Sequence, residues 1–284
     1  MKKYGITALV LIMLLAVSAV SARMEQVSKK IDSEGAERIV IEADLGGGQF
    51  NVVSKDMSEA ALVEIEYDPK RVDYEVDYRV KRNSGYLILE SNTNRGKDLD
   101  TDRNIWDVTI STRYPAEMHM EFGACDAEMD LGGIPLEELS LEVGAASGVI
   151  DFSQPNPIRM KDLSIDAGAS SLELVSLGNA RFHEMSFEGG VGSFDIDFRG
   201  KYEGESEASI EIGLGSADII IPHGLAVRIE TEGGNWLSSV DFHDDDLDEV
   251  DDDIYETPNF DDADDRLVLI IEVGLGSIDV YFKD

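Results

Sequence analysis

The chain has 284 residues and carries 59 acidic against 24 basic residues, a formal net charge of −35. This balance argues against nucleic-acid binding, because phosphates are bound where Lys and Arg cluster. A single cysteine excludes an internal disulfide and any cysteine-rich metal site. A hydrophobic content of 43% is sufficient for a sizeable core.

Residues 1–22 have the features of a secretory signal. Lys2 and Lys3 supply a positive start, segment 6–20 is apolar, and Val20-Ser21-Ala22 offers small residues for cleavage. The apolar run is shorter than the about 20 residues that a membrane helix needs. We expect an exported protein, periplasmic, outer-envelope or extracellular, with no transmembrane helix in its mature part. An uncleaved anchor is the alternative.

The segment 23–117 is predicted to form an N-terminal strand pair followed by a β-meander that caps one end of the body. The strand pair is expected around IEADLGGGQFNVV at 41–53. Further strands are indicated by alternation of apolar and polar residues. These strands are expected at 61–67, 73–82, 86–91 and 105–112. Asn83-Ser84-Gly85 is predicted to be the hairpin turn.

An internal repeat organises the remainder of the chain. Its clearest copies are MSFEGGVGSFDIDF (185–198), ASIEIGLGSADIII (208–221) and LIIEVGLGSIDVYF (269–282), with looser copies starting at 118, 139 and 163. One glycine anchors each copy, with a degenerate copy at Gly234. The anchors are Gly46, Gly123, Gly144, Gly168, Gly190, Gly213, Gly234 and Gly274.

Each copy is predicted to be a strand, a bend and a second strand. Apolar residues alternate before the glycine (Leu269, Ile271) and after it (Ile278, Val280), but the apolar parity changes between the two runs. A bend or bulge at the glycine would return the apolar face to the core. One such unit cannot bury its apolar face alone, so the copies are expected to stack in chain order.

The resulting prediction is an all-β protein: a β-solenoid of about eight Gly-x-Gly-Ser repeats of 21–24 residues with an N-terminal β-meander cap. The repeat array covers 118–242, an acidic loop covers 243–266, and a closing strand pair of the solenoid covers 267–284. A β-sandwich with coincidental internal similarity is the alternative.

An acidic residue stands two positions before every anchor glycine. In-register stacking would place such neighbours about 4.8 Å apart, where two like charges repel by roughly 0.9 kcal/mol in water. The column is Asp44, Glu121, Glu142, Asp166, Glu188, Glu211, Glu232 and Glu272. A second, interrupted column five positions after the anchor holds Glu128, Glu173, Asp195, Asp218 and Asp279.

These columns permit three interpretations. A solvated face would block edge-to-edge aggregation, bound divalent cations would offset the repulsion, and a basic partner would do so through its own charge. A separate run, 241–265, has 14 acidic residues among 25. Part of it is spaced like the start of a calcium loop but then departs from that motif. Its candidate cation ligands are Asp244, Asp246, Asp248, Asp251, Asp252 and Asp253.

The Gly-x-Gly-Ser copies, IPHGLAVRIE at 221–230 and IIEVGLGS at 270–277 resemble the bacterial toast-rack and LiaF-like envelope proteins, which are related to adhesin-type β-solenoid domains. The resemblance spans about residues 36–284. It implies a secreted or membrane-tethered β-structure of the bacterial envelope, linked to adhesion or envelope stress, and brings no catalytic residues. This chain lacks the multiple membrane helices of LiaF-type regulators and adds the acidic run.

No catalytic site is predicted. The histidines form no column, and the Gly-Ser pairs recur with the structural period, which bend chemistry explains. Cys125 is expected to be inert and packed. Trp106 and Trp236 are either cap packing or sugar-stacking platforms.

The sequence therefore favours a non-catalytic envelope protein that presents an acidic repetitive β-surface to an envelope protein or polysaccharide. No cofactor is expected, calcium being the one candidate, and self-association is left open. The alternatives are a calcium-dependent adhesin and a polysaccharide-acting enzyme on a β-solenoid scaffold. The enzyme would need a groove in which carboxylates meet one of the basic residues of the array: Arg159, Lys161, Arg181, Arg199 or Lys201.

Overall fold

The structure, a computed structural model, describes residues 24–93, 104–232, 238–243 and 247–284. The secretory segment 1–22, Gly234, Trp236, Asp244 and Asp246 lie outside the described residues.

The prediction of an all-β protein is confirmed. The described residues form a 16-stranded, mostly parallel sheet, and their one helix is a 3₁₀ turn at Leu177–Ala180. The strands of the N-terminal part are β1 (Glu25–Ile31), β2 (Arg38–Lys55), β3 (Ala61–Tyr67), β4 (Val72–Lys81), β5 (Ser84–Thr93) and β6 (Asn104–Ser111). The central strands are β7 (Ala116–Asp130), β8 (Leu136–Asp151), β9 (Met160–Val175), β10 (Phe182–Asp197) and β11 (Glu205–Pro222). The C-terminal strands are β12 (Ala226–Glu232), β13 (Ser238–His243), β14 (Asp248–Asp251), β15 (Ile254–Glu256) and β16 (Arg266–Lys283).

Seven long strands, one for each anchor glycine outside the degenerate copy, stack in parallel in the order β2-β7-β8-β9-β10-β11-β16. We call each of these strands a rung. The burial pattern shows the predicted change of parity: in β9, Leu163, Ile165 and Ala167 are buried before the glycine, and Leu172 and Leu174 after it. Two consecutive exposed residues, Gly168 and Ala169, separate the two runs. The bend therefore keeps one face of each rung on the core.

The core lies in the angle between the two arms of the bent rungs. In β10, Phe187 precedes the bend and Phe194 follows it, yet their rings meet edge to face with centroids 5.1 Å apart. Both side chains are buried in one continuous apolar cluster that runs through all the rungs. The outer faces of both arms are left to polar and acidic side chains.

The seven anchor glycines that the structure describes stack in a column in which the backbones of neighbouring rungs approach each other closely. A Cβ added at Gly213 would lie 2.8 Å from the carbonyl oxygen of Gly190, and one at Gly274 would lie 2.6 Å from that of Gly213. Real Cβ atoms do not approach that closely. The repeated glycine is thus required by the close approach of neighbouring bends.

The stacking order departs from the expected chain order at the C-terminal end. Rung β16 lies between β11 and the degenerate copy, because β12 and β13 pair with the far side of β16. The degenerate copy therefore contributes β12 and β13, which pair with the first and the second half of β16. The acidic segment 243–266 is not simply a loop, since β14 and β15 form a hairpin that continues the sheet from β12.

The N-terminal cap has the predicted strands but is not a meander. Strands β5 and β6 both lie parallel to β2, one on each arm, and together complete another rung. Antiparallel strands then continue each arm: β4 from β5, and β3 with β1 from β6. The β4–β5 hairpin turns at Arg82-Asn83, slightly before the predicted position, because Lys81 pairs with Ser84 and Arg82 has a φ of 59°.

Candidate functional site

The acidic column of the first arm is continuous across neighbouring strands. Each member is paired in register with the next, from Asp44 on β2 to Glu232 on β12. Glu90 on β5 extends the column beyond Asp44. In spatial order this first ladder is Glu90, Asp44, Glu121, Glu142, Asp166, Glu188, Glu211, Glu272 and Glu232.

Every member of the first ladder is exposed. Its neighbours along the strand point inward: Ile210 and Ile212, on either side of Glu211, are completely buried. None of the nine carboxylates forms an ion pair with a basic side chain within the described ranges. At about 4.8 Å per strand, the first ladder is a long, regularly spaced row of negative charge on the exposed face of the first arm.

A second ladder follows the outer face of the other arm. It contains the five predicted acids and also Asp107 on β6 and Asp241 on β13, and it is interrupted at Asn51 and Val149. This ladder is partly partnered. The Asn51 amide donates to Asp107 at 2.8 Å, and His243 Nε2 lies 2.7 Å from Asp279 Oδ1. The first ladder is therefore the stronger unpartnered charge array.

Sequence reasoning missed Glu90, Asp107 and Asp241 as members of the ladders. The first two belong to β5 and β6, which carry no anchor glycine and so do not align with the repeat. The alternation of Tyr86, Ile88 and Glu90 gives the face of β5 but not its neighbour in the sheet. Asp241 lies seven residues after Gly234, whereas Asp218 lies five residues after Gly213, so Asp241 does not align with the repeat in the sequence.

The candidate cation ligands that the structure describes lie around the β14–β15 hairpin. Asp248 and Asp251 are on β14, and Asp252 and Asp253 form the turn, all of them exposed. The Asp251 carboxylate accepts the Asp252 backbone N–H at 2.9 Å. Within the described part of the chain, no group of three or more His, Cys, Asp or Glu side chains is arranged to hold a metal ion. With Asp244 and Asp246 outside that part, the calcium site stays a prediction.

Three of the five basic residues of the array, Arg159, Arg181 and Arg199, form hydrogen bonds at the connectors, and Lys201 is exposed. Arg159 donates to the backbone carbonyl of Glu203 at 2.9 Å, Arg181 to that of Asn156 at 2.8 Å, and Arg199 to both carboxylate oxygens of the buried Asp197. Lys161 pairs with Asp162, its neighbour in sequence. These four cations are bound to the protein's own carbonyl and carboxylate groups.

The remaining reactive and aromatic candidates are structural where they are described. Burial raises the pKa of the Cys125 thiol to about 12, so it carries no thiolate at neutral pH. Trp106 is fully buried, and its indole N–H donates to Asn104 at 2.8 Å, as expected for cap packing. Among the described helices, none has the length and apolar character required to cross a membrane.

Comparison with known proteins gave one family and several distant structures. A family model described as the N-terminal domain of toast_rack, DUF2154, matches residues 20–161 and 155–220. A search of curated proteins returned no matching relative.

Three solved structures that are similar to this chain have low sequence identity to it. A provisionally named cell adhesion protein from Clostridium sporogenes is 19% identical with a TM-score of 0.49, covering 92% of this chain and 100% of that one. A provisionally named lipid binding protein from Parabacteroides distasonis is 14% identical with a TM-score of 0.42, covering 92% and 98%. A provisionally named adhesin from Bacteroides fragilis is 11% identical with a TM-score of 0.37, covering 92% and 98%.

Proposed function

We propose that this chain, which belongs to the toast_rack N-terminal domain family DUF2154, is an exported, non-catalytic envelope protein whose stacked rungs form a β-solenoid. Its role is to present the first ladder to a cationic envelope component. The rigid rungs fix the carboxylates at the spacing of the sheet, so the surface acts as a preordered polyanion.

The observation that carries this proposal is the unpartnered, in-register first ladder. Adjacent carboxylates on neighbouring strands destabilise the sheet, because like charges directly opposite one another repel. Lys or Arg ion-paired with the ladder would have removed that cost, and the described part of the chain shows no such pair; His119 lies on the same face, beside Asp44, Glu121 and Glu142. A cationic partner that bridges several rungs would relieve the repulsion along the whole row.

The environment of the basic residues supports a role without catalysis. A polysaccharide-acting enzyme needs a cation that is free to approach substrate beside its carboxylates. Arg159, Arg181 and Arg199 instead bond to carbonyl and carboxylate groups of the connectors. The ladders and these cations lie on separate parts of each repeat, the strands and the connectors.

Binding of an oligolysine peptide tests the proposal. We expect the wild-type chain to bind it at low salt and to release it near 1 M salt, where the Debye length is about 3 Å. The variant Glu142→Gln/Glu188→Gln/Glu211→Gln should bind it much more weakly. The matched control Asp261→Asn/Asp262→Asn/Asp264→Asn removes the same charge from an exposed loop outside both ladders and should bind like the wild type.

Equal weakening in the two variants would reduce the effect to net charge and refute a specific role for the ladder. The same three proteins, used as bait in envelope extract with and without divalent ions, then identify the partner. Calorimetric titration with calcium tests the alternative of a calcium-dependent adhesin. If the heat of binding is lost in the ladder variant but not in the loop control, the first ladder binds calcium and the proposal of a cationic partner is wrong.

A further inference from the structure

Three large apolar side chains are exposed in one column at the bend of the rungs. Val191 on β10, Leu214 on β11 and Leu275 on β16 each follow an anchor glycine and are 52%, 48% and 43% exposed. Val191 is in register with Leu214, and Leu214 with Leu275. We call these three residues the corner ridge.

The corner ridge is confined to one end of the stack. The same column holds Ala124, Ala145 and Ala169 on the preceding rungs, in register with one another and with Val191. Stacking of the rungs thus requires no large side chain at this position. Contiguous exposed apolar groups rimmed by polar residues mark interaction sites on soluble proteins.

The charges on both sides of the ridge specify its occupant. Glu188, Glu211 and Glu272 of the first ladder lie three residues before the ridge positions, and the second ladder follows four residues after them. Three residues of extended strand span about 10 Å. A second copy of this chain would bring like-charged ladders together, so the partner must carry basic groups on both sides of an apolar stripe.

The spacing of the ridge favours a helix over an extended peptide. Successive ridge side chains are about 4.8 Å apart, close to the roughly 5–6 Å between side chains three or four positions apart on a helix. Side chains on the same face of a strand repeat at about 6.6–6.8 Å, which does not match the spacing of the ridge side chains. A helix is about 10–12 Å wide and extends about half of that to either side of the ridge, so long Lys or Arg side chains on its flanks are required to approach the carboxylates.

We propose that the corner ridge and its flanking carboxylates bind a basic amphipathic helix of a partner protein. This inference rests on the proposed function, because the flanking charges on one side belong to the first ladder, and it adds the partner's apolar stripe. The side chains of the corner ridge pack against the apolar stripe of the helix, and the carboxylates on either side pair with Lys or Arg on the helix flanks.

Two designed helical peptides of equal charge test it. One has a leucine stripe flanked by lysines, and the other has alanine in place of each leucine. The variant Leu214→Ser/Leu275→Ser should bind the leucine peptide about tenfold more weakly than the wild type, as expected for partial burial of two leucines. The alanine peptide should bind more weakly than the leucine peptide, and with the same affinity to the variant and to the wild type.

The control variant Val53→Ser/Val250→Ser removes two other exposed apolar side chains, 49% and 53% exposed, and should bind both peptides like the wild type. Circular dichroism melts confirm that each variant is folded.

If the wild type and all variants bind both peptides equally, the proposal that the corner ridge binds a helix is wrong, while the proposed function of the first ladder is unaffected. If neither peptide binds the wild type, both proposals fall. If neutral vesicles bind in a ridge-dependent manner while the leucine peptide does not, the ridge is a membrane contact and this proposal is wrong.

Discussion

Glu188 and Glu211 occupy directly opposite positions on parallel strands β10 and β11, and both carboxylates are exposed. Each is followed along the stack by another acid, Asp166 on one side and Glu272 on the other. Parallel pairing without a register shift converts a sequence repeat into a straight row of charge. The energetic consequences of that row can be measured.

Neutralising one member of the first ladder should stabilise the protein at low salt. Glu211 has a carboxylate on each side, and each contact costs about 0.9 kcal/mol in water at the sheet spacing. We expect Glu211→Gln to raise the melting temperature in dilute buffer and to lose that advantage in 1 M NaCl. Asp262→Asn, in an exposed loop, is the control. An unchanged melting temperature at low salt would show that the carboxylates do not repel as their register requires.

Alanine at Gly215 should severely destabilise the fold, because both space and backbone conformation oppose it. Gly215 has a φ of +147°, and an added Cβ would lie 1.9 Å from the carbonyl oxygen of Gly192. Gly35 is the control that has only the unfavourable backbone conformation: its φ is +86°, but nothing lies within 4 Å of an added Cβ. Denaturant unfolding should give a loss of about 1–2 kcal/mol for Gly35→Ala and about 3 kcal/mol or more for Gly215→Ala. Equal losses would mean that close rung contact is unimportant.

The repeat predicted the rungs well, because a glycine such as Gly213 and an acid such as Glu211 recur with the structural period. Parallel in-register pairing then places aligned residues side by side. The position of β16 was not predictable in the same way. Its inward residues Leu269 and Ile271 are equally suited to Ile210 on β11 and to Ile229 on β12. Nothing in the local pattern specifies which strand it follows.

A buried asparagine joins neighbouring connectors, and its loss should be costly. Asn156 Nδ2 donates to the carbonyls of Leu136 at 2.8 Å and Ala180 at 3.3 Å, and its Oδ1 accepts the Ile158 N–H at 3.1 Å. Asn156→Ala leaves these groups unsatisfied, so we expect a loss of about 2–4 kcal/mol in the free energy of unfolding.

Asn259→Ala is the matched control for that substitution. Asn259 is exposed and makes a single side-chain bond, to the Gly224 carbonyl at 3.1 Å. Water can replace that bond, and the change in unfolding free energy should stay below about 1 kcal/mol. If the two asparagines cost the same, the connector bridge does not contribute to stability.

Neutralising Asp151 should stabilise the protein in a pH-dependent way. Burial, and then the neighbouring Asp130 charge, raise the pKa of the Asp151 carboxyl, and its buried Oδ1 has no hydrogen-bond partner among the described residues. The folded state therefore binds the proton more tightly than the unfolded state. Stability falls as the pH rises from the unfolded pKa, about 3.9, through the higher folded pKa.

Above that window Asp151 is ionised in both states and its destabilising effect is complete; below it the carboxyl is protonated in both and the effect is absent. Asp151→Asn should thus raise the melting temperature at pH 7, with the gain shrinking as the pH falls through the raised folded pKa and vanishing below the unfolded pKa of about 3.9. Thermal melts of wild type, Asp151→Asn and the exposed-loop control Asp262→Asn across this range decide the matter. A gain that persists unchanged at low pH would assign the effect to packing rather than to the buried charge.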